Sequence, residues 1–330
     1  MKQRGLKRLA VVLLVSGVLS AGCFSRMTSM PGESYAGPAV SADEALEVSL
    51  RADVTQLARG FGERNVENTP DALERTATWL SERLTSLGYA VKEEKYPVGE
   101  RSVKNLIVEK AGSTRPSEII VIGAHYDSAH GTPGADDNGS GVAAGLALAA
   151  QVMKAKPART VRFVFFTNEE PPFFRTKSMG SEVNAKATRA RGDDVKAMLA
   201  LETMGYFSDE AHSQHYPWPF SIAYPSTGNF IAFVGNSESR DLARECVRVF
   251  REHGKVASEG AAIPAFVEGA DWSDHGPFWR QDYRAVMVTD TAPFRNPHYH
   301  EGTDVPERVD FRRLALTTEG LFAVVEALAQ

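Results

Sequence analysis

The sequence predicts an α/β fold, a three-layer α/β/α sandwich around a mostly parallel central sheet. Three observations point there. Short apolar runs at 118–124, 160–167, 197–202, 229–234 and 285–290 read as strands buried on both faces. Stretches with apolar residues every three to four positions, at 141–154, 239–253 and 311–329, alternate with them and read as helices. Acids and histidines gather at the ends of the runs, where open α/β sheets place their ligands.

Taken in order, the chain opens with Lys2, Arg4, Lys7 and Arg8 ahead of an apolar core at 9–21. That core is well short of the roughly 20 apolar residues a spanning helix needs, so residues 1–22 are expected to be a bacterial export signal. Ser20, Ala21 and Gly22 before Cys23 resemble a lipoprotein box, which would make Cys23 a lipidated N-terminus anchored to a membrane. Plain secretion with Cys23 free is the alternative. Residues 23–41, rich in Ser, Gly and Pro and without periodicity, are expected to be a flexible tether. Residues 42–330 could hold two average domains, but one large α/β domain is within the usual range, and the linear order of the motifs favours it.

Within that domain, 43–59 and 69–87 carry helical spacing. The second has Thr69-Pro70 as N-cap and first turn and Gly88 at its end. Two strands are expected at 88–97 and 103–110. Cys246, in the helical stretch 239–253, reads as a core residue. With Cys23 as the other cysteine and a lipid on it, no intramolecular disulfide could form. The net charge of −5 carries little meaning for partners, and the lack of a basic patch with interleaved aromatics argues against a nucleic-acid partner.

The strand 119–122 delivers His125 and Asp127, and a Gly/Pro-rich loop then leads to Asp136-Asp137-Asn138. An imidazole and a carboxylate twelve residues apart, one from a strand end and one from a helix start, suit a metal site. The strand 160–167 ends in Glu169-Glu170, two adjacent acids, of which one can bind metal while the other handles protons. Glu202 ends the strand 197–202, and Tyr299-His300 follows the strand 285–290 closely. Four strand ends thus carry His, Asp or Glu to one rim.

These pieces resemble one family, the zinc-dependent aminopeptidases related to glutamate carboxypeptidase, glutaminyl cyclase and the transferrin receptor ectodomain. The matching motifs are GAHYDS (123–128), GADDNGSG (134–141), TNEE (167–170), LETMG (201–205), SDH (273–275) and YHEGTD (299–304). They run in the family order. The resemblance implies a zinc exopeptidase-like fold with a mixed sheet of about eight strands. It also implies a peptide substrate and two zinc ions, one being the reduced alternative. As implied roles, Asp137 bridges the metals, His125, Glu170, Glu202 and His300 are terminal ligands, and Glu169 is the general base. His125 and Glu202 would share one metal, Glu170 and His300 the other, although the placing of the two acids stays open. Asp127 would orient His125, Asp304 would support His300, and Tyr299 would donate to the developing oxyanion. Asp274 and His275 would shape the substrate pocket, with a purely structural pairing of the two as the alternative. Many relatives carry Asp where this chain has Glu202, a longer acid with the same chemistry.

Rival placements were Asp136 for Asp137, with Asp136 read as a helix-start or supporting acid, and His298 for His300, with His298 read as a rim residue. Neither of the Ser-centred stretches at 138–141 and 178–181 is a Gly-x-Ser-x-Gly elbow, which argues against a serine hydrolase. Three other activities share the scaffold: glutaminyl cyclase transfer at one zinc, a glutamate-type carboxypeptidase using Arg175 or Arg295 for the substrate carboxylate, and a non-catalytic binding module. The full ligand set favours the aminopeptidase reading.

Overall fold

The computed structural model describes Gly22 and residues 24–330; the rest of the expected export signal, and Cys23 with its expected lipid, lie outside the described residues. An eight-stranded sheet organises the chain: β1 (Lys92–Val98), β2 (Arg101–Lys110), β3 (Arg115–His125), β4 (Arg159–Phe166), β5 (Asp194–Glu202), β6 (Phe230–Gly235), β7 (Ala257–Ala262) and β8 (Ala285–Thr289), in the order β1-β2-β4-β3-β5-β8-β6-β7. The pairs β3–β4, β3–β5, β5–β8 and β6–β7 are parallel, while β1–β2, β2–β4 and β6–β8 are antiparallel. The sheet is therefore mixed with a parallel centre, as expected.

Alternation along the central strands makes two cores. Ile120 and Ile122 of β3, Phe163 and Phe165 of β4, and Leu199 and Leu201 of β5 face the larger one. This core is covered by helices α1 (Glu44–Thr55), α2 (Pro70–Ser86), α3 (Gly141–Lys154), α5 (Arg240–His253) and α7 (Phe311–Ala329). Ile119, Val121, Val164, Phe166, Met198 and Ala200 face the smaller one, under α4 (Gly180–Arg191) and α6 (His275–Arg280). Continuous apolar runs are thus the mark of strands with a core on each face. Cys246 is fully buried in the larger core.

Three elements were not expected from sequence, and each has a physical reason. Helix α4 presents Gly180, Ser181, Glu182, Asn184, Ala185 and Thr188 as its buried positions, so no apolar stripe marks it. Helix α6 has six residues, and β7 reads Ala-Ser-Glu-Gly-Ala-Ala, with little β propensity.

The segment expected to be a flexible tether has partners along the domain. Phe24 packs on Phe220 with ring centroids 5.7 Å apart. Arg240 and Arg251 donate to the carbonyls of Arg26, Pro31 and Gly32, Ser34 Oγ accepts from the Ser258 amide at 2.7 Å, and Arg312 donates to the Val40 carbonyl. Its polar composition pairs with arginines on the domain surface, a match that hydrophobic periodicity does not register. Among the described residues no helix is long and apolar enough to cross a membrane.

Candidate metal centre

Strands β3, β4 and β5 run parallel, so their C-terminal ends lie on one edge of the sheet and carry His125, the Glu169-Glu170 turn and Glu202 there. The backbone at this edge is forced: Asn168, Thr203 and His300 all sit in the left-handed region, with φ of 58°, 43° and 59°. Such conformations in non-glycine residues cost roughly 1–3 kcal/mol each and persist where surrounding contacts over-determine them. In the loop 134–140, Asp137 (φ −101°, ψ 95°) and Asn138 (φ −121°, ψ 38°) leave helical geometry just before α3 begins. Gly141 lets this loop press on β5: a Cβ there would lie 2.3 Å from Asn138 Oδ1 and 2.7 Å from the Leu201 carbonyl.

The five residues singled out as metal ligands are brought together in two triads that share Asp137, His125–Asp137–Glu202 and Asp137–Glu170–His300. His125 Nε2 lies 3.3 Å from Asp137 Oδ1 and 3.3 Å from Glu202 Oε2. On the other side His300 Nε2 lies 3.1 Å from Asp137 Oδ2 and 3.0 Å from Glu170 Oε2. Asp137 therefore turns one oxygen to each triad. By these distances Glu202 stands with His125 and Glu170 with His300, while a third grouping, His125 with Glu169 and Glu170, is also close.

Whether these residues fit a cation can be tested on their unmet valences. His125 Nε2, both oxygens of Asp137, Glu170 Oε1 and His300 Nε2 are buried with no hydrogen-bond partner among the described residues. Buried polar atoms are rarely left so. A tetrahedral zinc site with bonds of about 2.0–2.1 Å spaces its ligand atoms roughly 3.3 Å apart, close to the separations found here. Charge leads to the same conclusion. Four carboxylates (Asp137, Glu169, Glu170 and Glu202) surround two imidazoles. Burial and their mutual repulsion push Glu170 up to about 7 and hold Glu169 and Glu202 above the usual carboxylate range. The acids pull His300 up to about 10 against the effect of its burial. Without a cation the cluster can relieve its charge only by binding protons.

A second layer fixes the loops. Asp127 accepts from the Glu169 and Glu170 amides through its two oxygens, at 3.2 and 3.1 Å, and its Oδ1 is 3.5 Å from His125 Nδ1. Asp304 treats the other loop in the same way, accepting from the Asp136 and Asp137 amides at 2.9 and 3.1 Å. Asp304 thus supports Asp137, the carboxylate shared by the triads, rather than touching His300. Asp136 points away from both triads; its Oδ1 accepts from the Gly205 amide and its Oδ2 from Asn296. His298 pairs with Thr303 at 2.8 Å on the rim.

Sequence reasoning missed several supporting residues. Arg64 is fully buried and donates to the carbonyls of Gly62, Tyr126, Pro133 and Gly134, tying the end of β3 to the ligand-bearing loop. Asn138 donates to the Leu201 carbonyl and accepts from the Thr203 amide, gripping the strand end that presents Glu202. Ser273 Oγ donates to Glu202 Oε2 at 2.6 Å. Asn138 and Ser273 stand inside the quoted motifs and could have been flagged there; Arg64 lies in a stretch without periodicity and carries no local signal.

One expectation is corrected. Asp274 and His275 do not line a substrate pocket: they are 1% and 0% exposed. His275 Nε2 pairs with the Ala270 carbonyl at 2.7 Å and its ring stands edge-on to Trp279, so Asp274 does not pair with it either. The chain turns into α6 here and carries both side chains inward. The loop instead contributes Ala270 and Trp272 to an open pocket beside Glu202 and Tyr299. Its walls include Phe220, Phe230, Ile263 and Met287. Tyr299 stacks on His300 with ring centroids 3.9 Å apart and lines both the centre and the pocket. Arg295 is buried against Gln214 and the Phe230 carbonyl, and Arg175 pairs with Asp271, so both candidate carboxylate-binding arginines already have partners.

A model of peptidase family M28 matches residues 105–325. The uncharacterized Escherichia coli protein YfbL is 35% identical over 297 residues, 87% of this chain and 89% of that one. A probable leucine aminopeptidase of Arthroderma otae is 25% identical over 285 residues, 81% of this chain and 68% of its own. Among solved structures, BSAP, a zinc aminopeptidase from Bacillus subtilis, superposes with a TM-score of 0.67 at 14% identity, over 84% of this chain and 94% of that one. Glutaminyl cyclase from Bacteroides thetaiotaomicron does so with a TM-score of 0.64 at 16% identity, over 88% and 99%. Both of these likenesses are of fold.

Proposed function

The chain belongs to peptidase family M28, and on that premise we propose that it is a metallo-aminopeptidase that holds two zinc ions and removes residues with apolar side chains from the N-terminus of peptides. One observation carries the proposal: Asp137 turns one oxygen to each of two His–carboxylate triads, and both its oxygens and the inward nitrogens of His125 and His300 have no hydrogen-bond partner among the described residues. His125, Asp137 and Glu202 would hold one ion, and Asp137, Glu170 and His300 the other. Zinc held there supplies Lewis acidity for the carbonyl and for water. The rest is done by this chain's own side chains. Glu169, whose Oε2 stands 3.9 Å from His125 Nε2, farther than the 3.0–3.3 Å of the ligand pairs, takes the proton of the attacking water and returns it to the leaving amine. Burial first, and the nearby acids second, keep the Tyr299 hydroxyl protonated, so it can donate to the oxyanion. The cluster's surplus of carboxylates would draw the free α-amine, and the pocket beyond Glu202 and Tyr299 would take the first side chain.

Glutaminyl cyclase transfer is the second reading, drawn from the fold likeness. One experiment separates the two: bound zinc per chain is measured together with products from Leu-initiated, N-acetyl-Leu-initiated and Gln-initiated peptides. Aminopeptidase action releases free Leu from the first, leaves the second intact and stops on chelation. Cyclised product from the Gln peptide with no release of Leu would replace it with the cyclase reading. Equal cleavage of blocked and free peptides would refute both. We further propose that the protein is exported and held on the cell envelope through Cys23, on the strength of the charged start, the short apolar core and the residues before Cys23.

A further inference from the structure

We propose that the exposed apolar loops around Trp218, Ile222 and Phe266 are a lipid-docking face that lays the envelope-anchored enzyme onto a phospholipid surface; this rests on the anchoring reading above. Of the large hydrophobic side chains left exposed among the described residues, Trp218 (85%), Ile222 (76%) and Phe266 (90%) stand, in sequence, beside residues of one small satellite core, and Val48 is the exception. Residues 216–227, Tyr-Pro-Trp-Pro-Phe-Ser-Ile-Ala-Tyr-Pro-Ser-Thr, hold no charged side chain, and neither do 260–267, in a chain with 24% charged residues. Trp218 and Ile222 lie on either side of buried Phe220, and Phe266 precedes Val267; Phe220 and Val267 pack into the same satellite core. The face is therefore built on a rigid base with its apolar side chains outward, an arrangement soluble surfaces seldom keep without a use.

The N-terminus selects lipid as the occupant. Phe24 stacks on Phe220 and Met27 packs in the same satellite core, while Arg240 holds the turn through the Arg26 carbonyl. Phe24, the residue that follows Cys23, thus lies on this satellite core. A lipid on Cys23 would enter the membrane beside Trp218 and Ile222, whose side chains would meet the headgroup layer with little extra cost in freedom, because the anchor has already brought them there. Tryptophan, apolar in body with a polar N–H, suits that layer. These loops also wall the substrate pocket through Tyr216, Phe220 and Tyr224, so docking would bring the pocket wall against the lipid surface.

The test uses the full processed chain in vesicles of phosphatidylethanolamine and phosphatidylglycerol, with or without brominated acyl chains. Flotation reports anchoring, and bromolipid quenching of tryptophan reports depth. Quenching is expected in the wild type, is expected to be lost in Trp218→Phe, and is expected to fall in Ile222→Ser/Phe266→Ser, where Trp218 is kept. All three are surface positions, and Trp218→Phe keeps an aromatic ring, so loss of folding does not mimic the result. Flotation with no quenching due to Trp218 overturns the docking face while leaving the anchor. Failure to float overturns both. Quenching absent in the wild type, together with a raised KM for an apolar peptide in Ile222→Ser/Phe266→Ser, would assign the loops to substrate instead and overturn the proposal.

Discussion

Glu169→Gln and Glu170→Gln distinguish proton transfer from metal binding at two neighbouring positions. Both side chains are buried, at 6% and 3% exposure, and both backbone amides are held by Asp127, so neither substitution should move the turn. Their distances differ. Glu170 Oε2 lies 3.0 Å from His300 Nε2, within ligand spacing, while Glu169 Oε2 lies 3.9 Å from His125 Nε2. An amide cannot take a proton from water at neutral pH, so Glu169→Gln should lower kcat by about 10²–10⁴-fold. That is a barrier rise of roughly 3–5 kcal/mol, with zinc content unchanged. Glu170→Gln should lose one ion of two, and activity should follow zinc when metal is resupplied. Metal analysis on dialysed protein and steady-state kinetics on a free peptide read both. A third grouping, His125 with Glu169 and Glu170, is also close enough to hold a cation. Should Glu169→Gln lose zinc and recover turnover on resupply, that grouping is the real one and the assignment of the base is refuted.

The metal-free site holds protons that zinc must displace, since His300 is drawn up to about 10 and Glu170 to about 7. Zinc affinity should therefore rise with pH between 6 and 8, by about tenfold per unit for each proton released; calorimetry in buffers of different ionisation enthalpy counts those protons, and a pH-independent affinity would contradict the charge argument. Arg64→Met removes the donors of four loop carbonyls from a fully buried position and should destabilise the protein by on the order of 3 kcal/mol in urea unfolding. Asp127→Asn puts an NH₂ against one of two amide donors and weakens the orientation of His125; a loss of about 10–100-fold in zinc affinity is expected, read by competition with a chelator.

The central sheet was legible because its strands are buried on both faces, which leaves continuous apolar runs such as 119–122 and 163–166. Helices α3, α5 and α7 were legible for the related reason that each covers one face of that sheet. The signal failed where burial is not apolar. Helix α4 turns Ser181, Asn184 and Thr188 inward, and β7 is mostly alanine and glycine yet pairs in register with β6 from Phe230↔Ala257 to Gly235↔Ala262. In both cases the neighbours select the structure, and no periodicity in the segment itself announces it.

For the site the division falls between residues that do chemistry and residues that hold them. His125, Asp137, Glu170, Glu202 and His300 could be singled out because a carboxylate or imidazole at the end of an apolar run is conspicuous, and the family motifs ordered them. What sequence left open was the grouping, and here Asp137 decides: with one oxygen toward each triad, it divides the acids between His125 and His300. That grouping is set by groups with no chemistry of their own. Asp304 fixes Asp137 through two backbone amides, Asp127 fixes Glu169 and Glu170 in the same way, and Arg64 binds the loop between through carbonyls alone. Their partners are main-chain atoms, which every residue carries, so the residue types at 64, 127 and 304 say nothing about whom they meet. Asn138 and Ser273 also couple a motif residue to a ligand or its strand, and those two were within reach of a closer reading of the motifs.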